Sequence, residues 1–199
     1  MNVNMRRKIS KSEINELPLV KFQGSIWLVP DCTATKACSE LLKTSIVSGR
    51  SIVGFDTESR PSFKKGEHHP IALIQLSTSR LSCLFRVSLK RKFPISLRSV
   101  LENEEVTKIG QGSSDEIKEI RELWGVKVRG LLDLIPLARH AGCDSFSLRS
   151  LAALYLSIRI SKSAQTSNWQ NKVLTKHQQV YAATDAWVCR EIFLRMKNV

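Results

Sequence analysis

The run Ser51-Ile-Val-Gly-Phe-Asp-Thr-Glu-Ser-Arg60 sinks two carboxylates into an otherwise apolar stretch. In an extended strand, residues two apart share a face, so Asp56 and Glu58 project the same way, about 7 Å apart along the backbone. Two like charges so placed repel each other and resist burial unless something positive lies between them. A divalent cation answers both problems. A strand running out into a polar turn is the alternative, and further acids at the right places elsewhere decide between the two.

Composition narrows the field. At 199 residues the chain is long enough for one well-packed domain and short for two, so a single domain over residues 1–199 is expected. Its apolar and charged fractions are those of an ordinary globular protein. No apolar run reaches membrane-spanning length, and the basic amino terminus lacks the apolar segment of a secretory signal, so a cytoplasmic location is expected. Cys32, Cys38, Cys83, Cys143 and Cys189 are odd in number and scattered without a Cys-x-x-Cys pair, the pattern of reduced, buried thiols. The net charge of +13 favours a polyanionic partner, nucleic acid before membrane. No acid occurs between residues 145 and 184, where Arg149, Arg159, Lys162, Lys172 and Lys176 fall, and a second basic patch comprises Arg86, Lys90, Arg91, Lys92 and Arg98.

Periodicity predicts strands over residues 25–29, 52–58, 71–77, 81–87, 106–110 and 130–134, the second, third and fourth forming an antiparallel meander. Helices are expected over residues 33–48, 96–103, 114–124, 134–140, 147–156 and 175–197, with residues 12–23 as a lead-in. Strands first, then strands alternating with helices, imply a mixed sheet covered by helices.

The expected final helix sets Tyr181 and Asp185 four residues apart on one face. Val188 and Ile192 continue that face, which leaves Asp185 in a stripe that should be buried; a bond to Tyr181 or a metal would satisfy it. In the segment Lys108-Ile-Gly-Gln-Gly-Ser-Ser-Asp-Glu-Ile-Lys118, helical phase separates two further acids. With Ile117, Ile120 and Trp124 as the core face, Glu116 lies about 40° to 100° from each and Asp115 about 140° or more away.

These residues together resemble the DEDD superfamily of 3′-5′ exonucleases, in its tyrosine-bearing branch. Phe55-Asp-Thr-Glu58 matches the first motif, Lys108-Ile-Gly to Ile117 the second, and Tyr181-Ala-Ala-Thr-Asp185 the third. Ser167-Asn-Trp169, with Leu174-Thr and Gln178 after it, is similar to the stretch ahead of the third motif in ribonuclease D and the Werner-helicase exonuclease domain.

The resemblance implies an α/β, ribonuclease-H-like fold: a mixed five-stranded sheet with helices on both faces. It also implies a metal-dependent 3′-5′ exonuclease acting on the 3′ ends of DNA or RNA through two divalent ions, Mg²⁺ or Mn²⁺, which suit oxygen-only ligands. Asp56, Glu58 and Asp185 take the ligand positions, and Tyr181 the position beside the attacking water. The second motif departs from the family, which has aspartate where Glu116 stands, with Asp115 one residue earlier; both stay candidates. The alternative function is a weakly active or inactive homologue that binds nucleic acid. Thr57, Leu73, Arg159, Lys162, Asn168 and Trp169 are the candidates for contacting the strand, Trp169 and Lys162 alternatively for supporting the last helix. No membrane partner is expected.

Overall fold

The computed structural model describes residues 8–30, 33–64 and 66–197. Its strands are β1 (Ser25–Val29), β2 (Ile46–Val47), β3 (Arg50–Ser59), β4 (Ile71–Ser77), β5 (Leu81–Arg86), β6 (Val106–Gly110) and β7 (Leu131–Asp133). They form one mixed sheet in the order β1-β5-β4-β3-β6-β7, with β2 paired antiparallel to β3 off that path. β3, β4 and β5 make the expected meander. β1 runs parallel to β5, β6 parallel to β3, and β7 parallel to β6. Every strand on the main path except β4 therefore ends at the same edge of the sheet. Among the described residues the sheet has seven strands where the resemblance implies five; one of them, β2, has two residues and lies off the main path.

The helices are α1 (Lys11–Glu16), α2 (Ala34–Ser45), α3 (Ile95–Glu102), α4 (Ser114–Trp124), α5 (Leu134–His140), α6 (Leu148–Leu156) and α7 (Lys176–Lys197). Alternation along the strands divides the core between two faces. Val53, Phe55, Leu76 and Phe85 pack against Ala37 and Leu41 of α2 and Leu97 and Leu101 of α3. Ile52 and Ile109 pack with Leu151 of α6 and Val188 and Ile192 of α7, while Leu73 and Leu84 meet Ala182 and Ala183 of the same helix. Asp56 and Glu58, in phase with Ile52 and Gly54, thus look toward α7.

Gly54 lets α7 come down onto β3. A methyl group at this position would overlap the carbonyl oxygen of Ala186, and a glycine inside a strand is the usual mark of such close backbone approach. Arg190, buried one turn further along α7, donates from Nε to the Ile52 carbonyl at 3.0 Å. On the opposite face the fully buried Lys108 donates to the carbonyls of Val100 and Asn103 at the end of α3, at 3.2 and 2.7 Å; its burial pushes the amine down to about 8.

The lead-in carries structure of its own. Ser10 and Glu13 form a capping box, which satisfies donors at the start of α1 that otherwise lack partners. The chain then lies beside the segment after α6, with Val20 N–H donating to the Arg159 carbonyl and Arg159 N–H to the Pro18 carbonyl, both at 2.9 Å. Cys38, Cys83, Cys143 and Cys189 are free and buried; Cys32 lies outside the described residues. No described helix is long and apolar enough to cross a membrane.

Candidate active site

At the carboxyl end of β3, under α7, Asp56, Glu58 and Asp185 each offer an oxygen within 4.8 Å of the other two. Two come from alternate positions of one strand, and the third descends from a helix that Gly54 admits. Burial raises all three carboxyls above their ordinary range. For Asp56 the charge of Glu116 adds to burial while the Thr57 backbone N–H opposes it. For Glu58 the charges of Asp56 and Asp185 add. Asp185 is raised by burial and by Asp56, and a hydrogen bond with Tyr181 opposes this. One Asp185 oxygen, Oδ1, is buried with no partner. The site penalises the ionised form of all three, the condition in which a cation that displaces their protons is favoured.

Glu116 sits in the first turn of α4 and lines the same cleft, a space of about 350 Å³ shared with Asp56, Glu58, Tyr181 and Asp185. Its Oε2 is likewise buried without a partner. Asp115, by contrast, is exposed and points away, as helical phase requires. Two contacts set α4 in place. Glu119 accepts from Ile71 N–H at 2.9 Å, which ties the helix to β4. Asp133 accepts from Gly112 N–H at 3.0 Å and, capping α5, from Ile135 N–H at 2.8 Å. Gly112 turns the chain with φ at 67°, a conformation that glycine adopts without strain.

Tyr181 stands one turn before Asp185 on the same helix face. Burial first, then the charges of Asp185 and Glu58, push its hydroxyl up, so it stays a protonated donor. Thr57, Lys162 and Arg149 complete the wall of the cleft. Arg149 escapes notice in the sequence as anything beyond a member of the basic run. Its position depends on a contact 134 residues away in sequence, where it donates to Asn15 Oδ1 of α1, and its Nε is buried with no partner. A second cavity, of about 600 Å³, opens on the other side of Tyr181 and Asp185 between Lys21 and His177.

Four of the candidate strand contacts lie elsewhere. Leu73 is fully buried and packs with Trp169, Leu174 and Ala182; its side chain follows the pleat into the core beneath α7 and offers no wall to a base. Trp169 is fully buried, its ring 6.0 Å from that of Tyr181, so it supports the last helix from behind. Arg159 spends its side chain on the lead-in, donating from Nε to the Leu17 carbonyl at 3.2 Å. Asn168 is exposed in a turn, where Oδ1 accepts from Gln170 N–H at 3.1 Å.

A family model described as a 3′-5′ exonuclease matches residues 27–199. The chain is 33% identical over 198 residues to the bifunctional 3′-5′ exonuclease/ATP-dependent helicase WRN of Mus musculus, a match that takes in 96% of this chain and 14% of that protein. Among solved structures, the Nibbler EXO domain of Aedes aegypti superposes with a TM-score of 0.76 at 23% identity, covering 90% of this chain and 91% of that one. Ribonuclease D of Escherichia coli superposes with a TM-score of 0.71 at 20% identity, over 88% of this chain and 46% of that one. The two likenesses agree on the ribonuclease-H-like architecture, and the motif residues lie within the matched span. The chain belongs to the 3′-5′ exonuclease family, in the DEDD superfamily that includes ribonuclease D and the WRN exonuclease.

Proposed function

We propose that the chain is a metal-dependent 3′-5′ exonuclease that removes nucleotides from the 3′ end of DNA or RNA. The observation that carries this reading is the convergence of Asp56, Glu58 and Asp185 within 4.8 Å, with the buried Oδ1 of Asp185 unpartnered. Hard oxygen donors without a thiol or imidazole among them fit Mg²⁺ or Mn²⁺. Asp56, Glu58 and Asp185 would hold two such ions, with Glu116 as the fourth acid. When bound, the ions supply Lewis acidity and charge neutralisation for in-line hydrolysis at phosphorus.

The remaining work falls to the chain itself. The Tyr181 hydroxyl orients a water beside Asp185, and Trp169 fixes the tyrosine ring. Lys162 and Arg149 offset the charge of the phosphate entering between the acids; a guanidinium whose Nε lacks a partner suits a phosphate oxygen. Water adds to phosphorus as the bond to the preceding nucleotide's 3′ oxygen breaks, and that oxygen takes up a proton.

One observation favours a second reading, a nucleic-acid-binding homologue of weak activity. Glu116 lines the cleft but lies outside the three-acid cluster, and an error of about 1 Å in positioning costs on the order of a hundredfold in rate. A 5′-labelled oligonucleotide, DNA or RNA, distinguishes the readings. The first expects stepwise shortening from the 3′ end with Mg²⁺ or Mn²⁺ and none with EDTA. Tight binding without any metal-dependent product supports the second and overturns the first.

A further inference from the structure

We propose that a basic cavity beside the acidic cleft is a second phosphodiester-binding site, which holds the nucleic-acid strand upstream of its 3′ end. The proposal rests on the nuclease reading above and adds where the rest of the substrate lies.

The cavity measures about 630 Å³ and opens where β1 and β5 end. Val29 and Val87, both buried, floor it, while Arg86, Lys90, Arg91 and Lys172 line its wall. No carboxylate appears among its described lining residues. Arg86 is fixed in place: its Nη1 donates to the Lys172 carbonyl at 2.9 Å, which fastens the segment before α7 across the end of β5. Burial and the neighbouring charge of Arg91 both lower the affinity of Arg86 for its proton. Lys90 and Lys172, both exposed, hold two amines beside this apolar floor, and a phosphodiester supplies an anion for them without demanding base identity.

The sheet relates this cavity to the cleft. β3 and β5 run in the same direction, with β4 antiparallel between them, so their carboxyl ends lie at one edge. Glu58 is in register with Leu73, and Leu73 with Arg86. Cross-strand partners project from the same face, so Arg86 lies on the side of the sheet that carries the acids, its Cα about 10 Å from that of Glu58, two strand spacings. A strand leaving the acidic cleft meets these cations within a few nucleotides. The division of labour follows from charge: the cleft repels phosphate unless cations occupy it, whereas this cavity brings its own. An acidic peptide would satisfy the charge equally, but only a nucleic-acid strand also accounts for the alignment with the acids.

The test uses the double variant Lys90→Ala/Lys172→Ala, which removes two exposed amines and leaves the Lys172 carbonyl available to Arg86. Binding is measured in EDTA, by fluorescence anisotropy, in an Asp56→Asn background so that no cleavage intervenes. For a single-stranded oligonucleotide long enough to reach both sites, affinity should fall roughly tenfold, and the slope of log affinity against log salt should shrink by about 1.4, the share of two phosphates at about 0.7 each. In the otherwise unchanged protein, cleavage of a dinucleotide should not change. DNA and RNA arms show which backbone the site prefers. Unchanged affinity and slope for the long strand overturn the proposal. So does an equal loss on the dinucleotide, which would place these lysines at the cleft. If nothing is ever cleaved but the charge- and length-dependent binding appears, the nuclease reading fails while the second site stands.

Discussion

Gly54 and Ala186 are in such close apposition that no side chain fits between them: a Cβ on the glycine would overlap the alanine's carbonyl oxygen. This contact sets the height of α7 above β3, and with it the distance of Asp185 from Asp56. Gly54→Ala forces the helix outward. Overpacking of this kind costs typically about 1–3 kcal/mol, and a backbone oxygen has no rotamer to yield, so the upper end is expected. The melting temperature should fall by about 2–4 °C per kcal/mol. Metal-dependent cleavage should fall further than stability, because Asp185 moves with the helix. Unaltered cleavage in a folded Gly54→Ala protein would separate the helix height from the site.

The acids give the metal-free protein a distinctive pH dependence. Asp56, Glu58 and Asp185 all have folded-state pKa values above their unfolded ones, so the folded chain binds protons more tightly than the unfolded chain. Their contribution to stability is complete below about pH 4, the unfolded range of carboxyls, and is lost as pH rises through the raised values. Glu58→Gln removes one such titrating group. Without metal the variant should melt above the parent at pH 8, with the gap closing toward pH 4. Added Mn²⁺ should raise the parent more than the variant at pH 8. A parent-minus-variant difference that does not vary with pH would contradict the electrostatic picture.

Glu116 and Asp115, adjacent in sequence, should differ sharply in effect. Glu116→Ala removes an acid that lines the cleft and should reduce kcat by about a hundredfold, with little change in melting temperature. Asp115→Ala removes an exposed group and should leave cleavage within a factor of about two, as surface substitutions do. Single-turnover rates measure both; equal losses would undo the assignment of Glu116 as the inward acid.

Leu73 and Lys162 test the division between core and cleft. Leu73→Ala should cost about 2–5 kcal/mol through the cavity it leaves, read as a lower denaturation midpoint. Lys162→Ala should leave that midpoint unchanged and raise KM for the oligonucleotide. A Leu73→Ala protein of parental stability would mean that the side chain is not held in the core.

Much of this fold is legible in the sequence because periodicity reports it directly. The alternation of Val53 and Phe55 against Ile52 and Asp56 gives the first central strand and its two faces, and the runs from Ile71 and Leu81 supply the meander. Helical phase likewise separates Glu116 from Asp115 before any coordinates are known. What periodicity cannot report is contact between distant segments. Leu73 pairs with Glu58 across the sheet and Trp169 belongs to the stretch ahead of the third motif, yet both side chains are turned into the core. Arg149 reaches the cleft wall through Asn15, a pairing that no local pattern records. Two signals were available and informative: Ser10 and Glu13 have capping-box spacing, and a glycine inside the strand at Gly54 marks close backbone approach. The two-residue strand β2 is too short for alternation to reveal it.

The central claim is that Asp56, Glu58 and Asp185 make one metal-dependent nuclease centre, and cleavage by Asp56→Asn and Asp185→Asn proteins tests it most directly. Both substitutions keep the shape of the side chain and remove the charge that a cation requires. With a 5′-labelled oligonucleotide in Mn²⁺, the parent should trim from the 3′ end, and each variant, folded by its melting curve, should be slower by roughly a thousandfold or more, of the order seen when a major catalytic group is lost. Trimming by either variant at the parental rate would contradict the account.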